Sequence, residues 1–360
     1  MKILQVITTL LTGGAESLLS DLVPLMNRGG NQVDVLVFDG EETPFMQKLR
    51  EKGVRVMALS NDKNVYRLGH IRKLMPIIRQ YDVVHTHNTA CQMFVAIAKR
   101  LSGAKCKLVT TEHSTDNRRR HHWFFKPLDR WMYRQYDAII SISDIATKLL
   151  KEYIGRGIDV LTIPNGVNVE AYQKAEPYPN EGREDEVIAI MVAAFRVGKQ
   201  QEVLIRSLLH LPQNVKVWLV GDGPRRAECE TLAKELGVAE RVRFWGVRTD
   251  VPRLLKTADV VVMSTHYEGM SLSNIEGMAS GRPFVASNVK GIREITEGAG
   301  VMFEEGNDKE LAEIILRMTG DKAYRDAVVG RCLARAKEFD VSKTAEGYMD
   351  VYRGLTQRML

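Results

Sequence analysis

The chain has 360 residues, of which 44% are hydrophobic, with four cysteines and a formal net charge of +6. That length and apolar content allow two ordinary domains, each with its own core, and exclude a disordered chain. The mild, dispersed positive charge suits nucleotide ligands or an anionic membrane surface and gives no case for DNA or RNA as a partner.

The opening MKILQVITTLL carries one lysine and a short apolar run, then Gly13, Gly14 and Glu16 with no small-residue cleavage pattern, so it reads as a first strand and not as a signal peptide. Two glycines there let a backbone approach a ligand that a Cβ would exclude, or simply close a tight turn before the apolar-periodic Leu18, Leu19, Leu22 and Leu25. Runs rich in Val and Ile then alternate with amphipathic stretches, the pattern of parallel sheets covered by helices on both faces. Strands are predicted at 3–7, 33–38, 54–59, 83–86, 107–111, 138–142 and 160–163. His85, His87 and His113 fall just past strand ends, and they lack the carboxylate-rich shell and spacing of a zinc site. Between 117 and 136, Arg118, Arg119, Arg120, Lys126, Arg130 and Arg134 interleave with Trp123, Phe124, Phe125, Trp131 and Tyr133. Such a segment suits an anionic bilayer surface, and it suits equally a solvated helix with its aromatic side in the core.

After Pro164-Asn165-Gly166 the stretch 172–186 turns polar, with Pro177, Pro179 and the acidic Glu184, Asp185 and Glu186, and it marks a linker. A second series of strands is predicted at 187–192, 215–220, 242–245, 260–263, 284–286 and 301–303. The expected domains are 1–170, a linker at 171–186, 187–341, and a last helix at 342–360 with Tyr348, Val351, Tyr352 and Leu355 at helical spacing. Cys91, Cys106, Cys229 and Cys332 are scattered without a C-x-x-C pair, as reduced thiols would be. No apolar run approaches the roughly 20 residues of a membrane span. A cytoplasmic protein is expected, with the 118–126 segment as a docking patch for the inner face of the cell membrane.

The stretch 264–287, STHYEGMSLSNIEGMASGRPFVAS, follows the apolar strand at 260–263 and continues with Leu272, Ile275, Met278 and Ala279 at helical spacing. Ser271 or Ser273 is placed to cap that helix, so its first N–H groups, near Met270, Ser271 and Leu272, face the turn of Glu268, Gly269 and Met270 as an anion site. Glu268 and Glu276, eight positions apart, suit the hydroxyl groups on either side of a phosphate.

The run from Glu268 to Ser287 resembles the E-x7-E signature of the retaining GT-B glycosyltransferases of family four, which build surface polysaccharides and glycolipids. The resemblance extends over essentially the whole chain, from Gly13-Gly14-Ala15-Glu16 to the segment 339–352. It implies an α/β fold of GT-B architecture, two Rossmann-like domains facing a cleft, with the last helix crossing back to the first domain. It implies transfer of a hexosyl group from a UDP- or GDP-sugar to a hydroxyl of a glycan or lipid-linked acceptor, with no metal and no other cofactor. By the same resemblance Gly13 and Gly14 lie near the donor diphosphate, His113 binds a donor-sugar hydroxyl, and Lys199 binds the diphosphate. Gly221, Gly223 and the Gly246-Val247-Arg248 turn frame the base, Glu268 takes the sugar hydroxyls and Glu276 the ribose diol. The family places a second cation five positions before its lysine, where this chain has Ala194. Arg196 could replace it only if the chain is extended there. Two other functions stay open: an epimerase of the same fold, and a catalytically silent nucleotide-sugar-binding subunit, which the missing arginine favours.

Overall fold

Among the described residues thirteen strands form, each at an apolar run marked in the sequence. The computed structural model describes residues 1–11, 13–114, 122–155, 157–179, 185–268 and 270–357. The chain divides into two units, Met1–Gly166 with Val341–Leu360, and Val167–Asp340.

In the first unit β1 (Lys2–Ile7), β2 (Gln32–Asp39), β3 (Val56–Ser60), β4 (Val83–Thr86), β5 (Lys107–Glu112), β6 (Ala138–Ser141) and β7 (Val160–Thr162) make a parallel sheet of order β3-β2-β1-β4-β5-β6-β7. In the second, β8 (Val187–Val192), β9 (Val215–Val220), β10 (Val242–Gly246), β11 (Val260–Met263), β12 (Phe284–Ser287) and β13 (Val301–Phe303) make another, of order β10-β9-β8-β11-β12-β13. Parallel strands joined by helices are covered on both faces, which is why β4, β11 and β12 are buried at every residue. In each sheet the order reverses once, between β1 and β4 and between β8 and β11. At such a reversal neighbouring loops leave in opposite directions and open a crevice at the carboxyl ends of the strands.

The helix Val169–Lys174 occupies the start of the stretch expected as linker, and its Val169 and Tyr172 are buried in the second unit's core. Further on, Tyr178 stacks on Trp245 of the same unit. The last helix, Val341–Gln357, belongs with the first unit and buries Tyr348 and Tyr352 completely. All four cysteines are free and buried. Among the described residues no helix is long and apolar enough to cross a membrane.

Candidate active site

In the second unit the loops that follow β8 and β11 are zipped together. Gln200 N donates to Ser264 O (3.1 Å) and His266 N to Gly198 O (2.8 Å), while Lys199 and Thr265 form an antiparallel bridge. Gly198 has φ +98°, which a side chain rarely tolerates, so glycine is what lets this loop turn. The zipper brings Lys199 against Glu268 as an ion pair whose side chains keep only 8% and 13% of their exposure. Glu268 stands four positions before the start of the helix Leu272–Ala279. Ser271 does stand at its N-cap, but its side chain makes no capping hydrogen bond, and Ser273 lies inside the helix. The expected serine cap is therefore absent, and the first-turn N–H groups lack that side-chain acceptor. Met270 and Leu272 are half-buried and Ser271 is buried. Glu276 is half-buried on the helix and already engaged with a neighbour. Gly269 lies outside the described residues.

The condition for Arg196 is not met. Arg196 N donates to Ala194 O and its own carbonyl accepts from Lys199 N (3.1 Å), so the chain turns over this segment instead of extending. Arg196 is exposed, whereas Lys199, three residues on, is buried. A guanidinium that does reach this loop is Arg225, missed in the sequence, whose Nη1 donates to Lys199 O (3.0 Å). It braces the lysine from behind.

Gly221 and Gly223 have a structural reason to be glycine. A Cβ on Gly221 would stand 2.2 Å from Ala193 O, and one on Gly223 2.4 Å from Phe195 O. These glycines let the β9 turn support the loop that carries Lys199. At the neighbouring turn Val247 is half-exposed, while the Arg248 guanidinium is held by both Asp250 carboxylate oxygens at 2.8 Å and by Tyr178 Oη at 3.0 Å. Arg248 in turn holds Asp250 down to about 2, mainly through that hydrogen bond. The Arg248 side chain is therefore already committed within its own unit.

The first unit presents a different chemistry. Gly13 and Gly14 are exposed where β1 leads into the helix Gly14–Asn27. A Cβ on Gly13 would lie 2.3 Å from the Glu16 carboxylate, whose pKa burial raises above the ordinary range. Thr8 N and Oγ1 both donate to Asn88 Oδ1 (3.0 and 3.2 Å), tying the β1 loop to the β4 loop. Beside them His87 Nδ1 lies 2.9 Å from His113 Nε2, and His87 Nε2 lies 2.7 Å from Gln5 Oε1. His85 is not past the end of its strand, as the sequence suggested. It sits within β4, fully buried, hydrogen-bonded to Tyr352 Oη and to Thr111 Oγ1 (2.8 Å). Burial lowers the pKa of His85 and His87 well below the usual histidine value and pushes His113 down to about 4. All three are therefore neutral near pH 7. Among the described residues no three His, Cys, Asp or Glu side chains are grouped to hold a metal ion.

Arg118, Arg119 and Arg120 lie outside the described residues. From the remainder of that segment, Met132 and Tyr133 point into the core, while Trp123 is 84% exposed and Phe124 55%. Of these aromatics, Tyr133 thus faces the core while Trp123 and Phe124 face solvent.

The sequence profile of "Glycosyltransferase Family 4" matches residues 12–171, and that of "Glycosyl transferases group 1" matches 186–321. N-acetyl-alpha-D-glucosaminyl L-malate synthase of Bacillus anthracis is 27% identical over 75% of this chain and 74% of its own length. The UDP-Gal:alpha-D-GlcNAc-diphosphoundecaprenol alpha-1,3-galactosyltransferase of Escherichia coli is 24% identical over 89% of each. The crystal structure of Anabaena HepE in complex with UDP-glucose superposes with a TM-score of 0.83 at 23% identity, covering 98% of this chain and all of that one. The last likeness shows a GT-B fold.

Proposed function

Because the chain belongs to the group 1, family 4 glycosyltransferases, a retaining family acting on nucleotide sugars, we propose that it moves a hexosyl group from a UDP- or GDP-sugar to a hydroxyl of a glycan or lipid-linked acceptor. The observation that carries this reading is the nearly buried Lys199–Glu268 pair beside the uncapped start of the helix Leu272–Ala279. Neither ion pays for its desolvation alone, so each holds the other until a ligand offers both a better partner. A donor diphosphate takes the Lys199 ammonium and the first-turn N–H groups near Met270–Leu272, and a sugar hydroxyl donates to the freed Glu268 carboxylate. Glu276 then takes the ribose diol, the backbone at Gly221, Gly223, Val247 and Arg248 frames the base, and Gly13 and Gly14 admit the acceptor side.

In the transfer the bond from the anomeric carbon to the diphosphate oxygen breaks, and a bond to the acceptor oxygen forms on the same face. The acceptor proton passes to the departing phosphate oxygen, whose negative charge Lys199 and the helix N–H groups stabilise. With this one cation and the helix N–H groups in place, the proposed reaction needs no metal. The UDP-glucose complex of HepE and the lipid-linked acceptor named for the Escherichia coli relative support a UDP-sugar and a lipid-linked acceptor here. Exposed Trp123, Phe124 and Leu128 support a peripheral seat on the inner, anionic face of a membrane.

The test is a melting screen of UDP- and GDP-sugars, in which a ligand at 100 times its Kd adds about 2.7 kcal/mol. The hit is then incubated with and without acceptors, with and without EDTA. Acceptor-dependent loss of donor, retained configuration and insensitivity to EDTA are expected. Donor consumed without any acceptor would mean an epimerase, and binding without consumption a silent subunit. For the membrane seat, binding to phosphatidylglycerol vesicles should exceed binding to phosphatidylcholine vesicles and fall in Trp123→Ala.

A further inference from the structure

The histidines of the first unit end a line of hydrogen bonds that starts in the last helix. Eight side chains make it: Tyr348, Thr111, His85, Tyr352, Gln5, His87, His113 and Asn165, drawn from 5 to 352 in the sequence. Every one except half-buried His113 is buried. Such a line can carry its protons in one direction or in the other, but not in a mixture, because each neutral imidazole has one donor and one acceptor nitrogen. Two amides select the direction. Gln5 turns Oε1 to His87 and donates from Nε2 to Tyr352 Oη (3.1 Å), while Asn165 turns Nδ2 to His113 Nδ1. His87 must then donate from Nε2 and accept at Nδ1, so His113 donates from Nε2. Tyr352 Oη, accepting from Gln5, donates to His85 Nδ1, and His85 Nε2 donates to Thr111.

What remains at the ligand end is acceptor capacity. The contact from Asn165 to His113 Nδ1 is long, at 3.4 Å, and Asn165 Oδ1 is buried with no partner among the described residues. A buried acceptor left unmatched is costly, and a hydroxyl is the group that would satisfy it.

We propose that Tyr352, acting through Gln5 and His87, is a positioning residue that fixes His113 in its Nε2–H form, so that His113 Nδ1 and the neighbouring Asn165 Oδ1 meet the ligand as acceptors and select a hydroxyl donor. This rests on the glycosyl-transfer reading, in which the hydroxyl belongs to the sugar. Burial keeps all three imidazoles neutral, so the tautomer is the property that matters. Tyr352 lies far along the chain from any loop of the site, and its link to His113 runs through the Gln5 amide.

The test is nitrogen NMR of protein labelled with 15N-histidine, with His113 assigned by its loss in His113→Gln. The wild-type protein, free of ligand, should show His113 with Nε2 protonated and Nδ1 bare. Tyr352→Phe removes the hydroxyl that orients Gln5, and should give a mixture of both His113 tautomers. With it the donor KM rises about fivefold, the worth of one neutral hydrogen bond, while bare UDP binds as before. Tyr348→Phe is the matched control, an equally buried hydroxyl on the same helix at the far end of the line, and should leave the His113 tautomer unchanged. The proposal is overturned by His113 protonated on Nδ1 in the wild type, by an unmoved tautomer in Tyr352→Phe, or by an equal change in Tyr348→Phe. A wild-type protein that binds no nucleotide sugar would remove the glycosyl-transfer reading, whereas the spectrum decides the relay with no ligand present.

Discussion

The two units answer the same topological problem with opposite chemistry. At the strand-order reversal of the second, loops after β8 and β11 hold a lysine against a glutamate, two ions that balance each other. Around the reversal of the first, β1, β4 and β5 hold imidazoles, a glutamine, a threonine and two tyrosines from the last helix, all uncharged. Ions suit a phosphate, whose charge they match, and neutral acceptors suit a hydroxyl, which they orient without binding anions. The difference teaches that each crevice is suited to its own kind of group, whereas buried charges elsewhere, such as Arg241 and Glu112, are held by hydrogen bonds within the protein.

The most severe way to break the comparison is to strand one ion. Lys199→Ala leaves Glu268 almost buried and unpaired, which should cost about 3 kcal/mol, the low end for a broken buried pair because some solvent reaches it. Transfer should fall about ten- to a hundredfold, the worth of one charged hydrogen-bond partner in the proposed transition state. Lys199→Met combined with Glu268→Gln separates the two losses: urea unfolding should show stability largely recovered, and the transfer assay should show activity still reduced.

A smaller effect sharpens the neutral side. Because the folded-state pKa values of His85, His87 and His113 lie below the ordinary 6.5, the unfolded chain takes up their protons first as pH falls. Stability is therefore constant above about pH 6.5 and is lost between there and pH 4, at about 1.4 kcal/mol per pH unit for each histidine. Urea midpoints of the wild type and His87→Gln at pH 7, 6 and 5 should show the variant's slope reduced by one histidine's share. Identical slopes would mean that His87 is protonated in the folded protein.

The smallest effect is expected at Arg196, which is exposed on a turn. Arg196→Ala should change kcat/KM less than about twofold and stability by less than about 0.5 kcal/mol. A loss comparable with that of Lys199→Met would restore Arg196 as the second cation.

Much of this was legible beforehand, for a physical reason. Central strands buried on both faces must be continuous apolar runs, and the more exposed edge strands β3, β7 and β10 keep enough of that pattern to be read, with ends displaced by a residue or two. The E-x7-E stretch announced its helix and both glutamates. The turn at 196–199 was hidden because only Gly198 signals it. Gly221 and Gly223 have a second reason to be glycine that a sequence hides, because the Ala193 and Phe195 carbonyls fill the space of a Cβ. The hydrogen-bonded line was invisible, since its members lie hundreds of residues apart and the tail tyrosines read as an apolar helix face. One signal was available: Gln5 is a polar residue inside an apolar strand, and in the sheet it pairs in register with His85.

The division of labour itself is tested most directly by calorimetric titration of Lys199→Met and His113→Ala with bare UDP and GDP. With no sugar present, only the charged set has a partner to lose. Lys199→Met should weaken the preferred nucleotide by about tenfold or more, the worth of a charge-assisted hydrogen bond, while His113→Ala stays within about twofold of the wild type. Equal losses in the two variants would contradict the account, because the neutral set would then be reading the nucleotide as well.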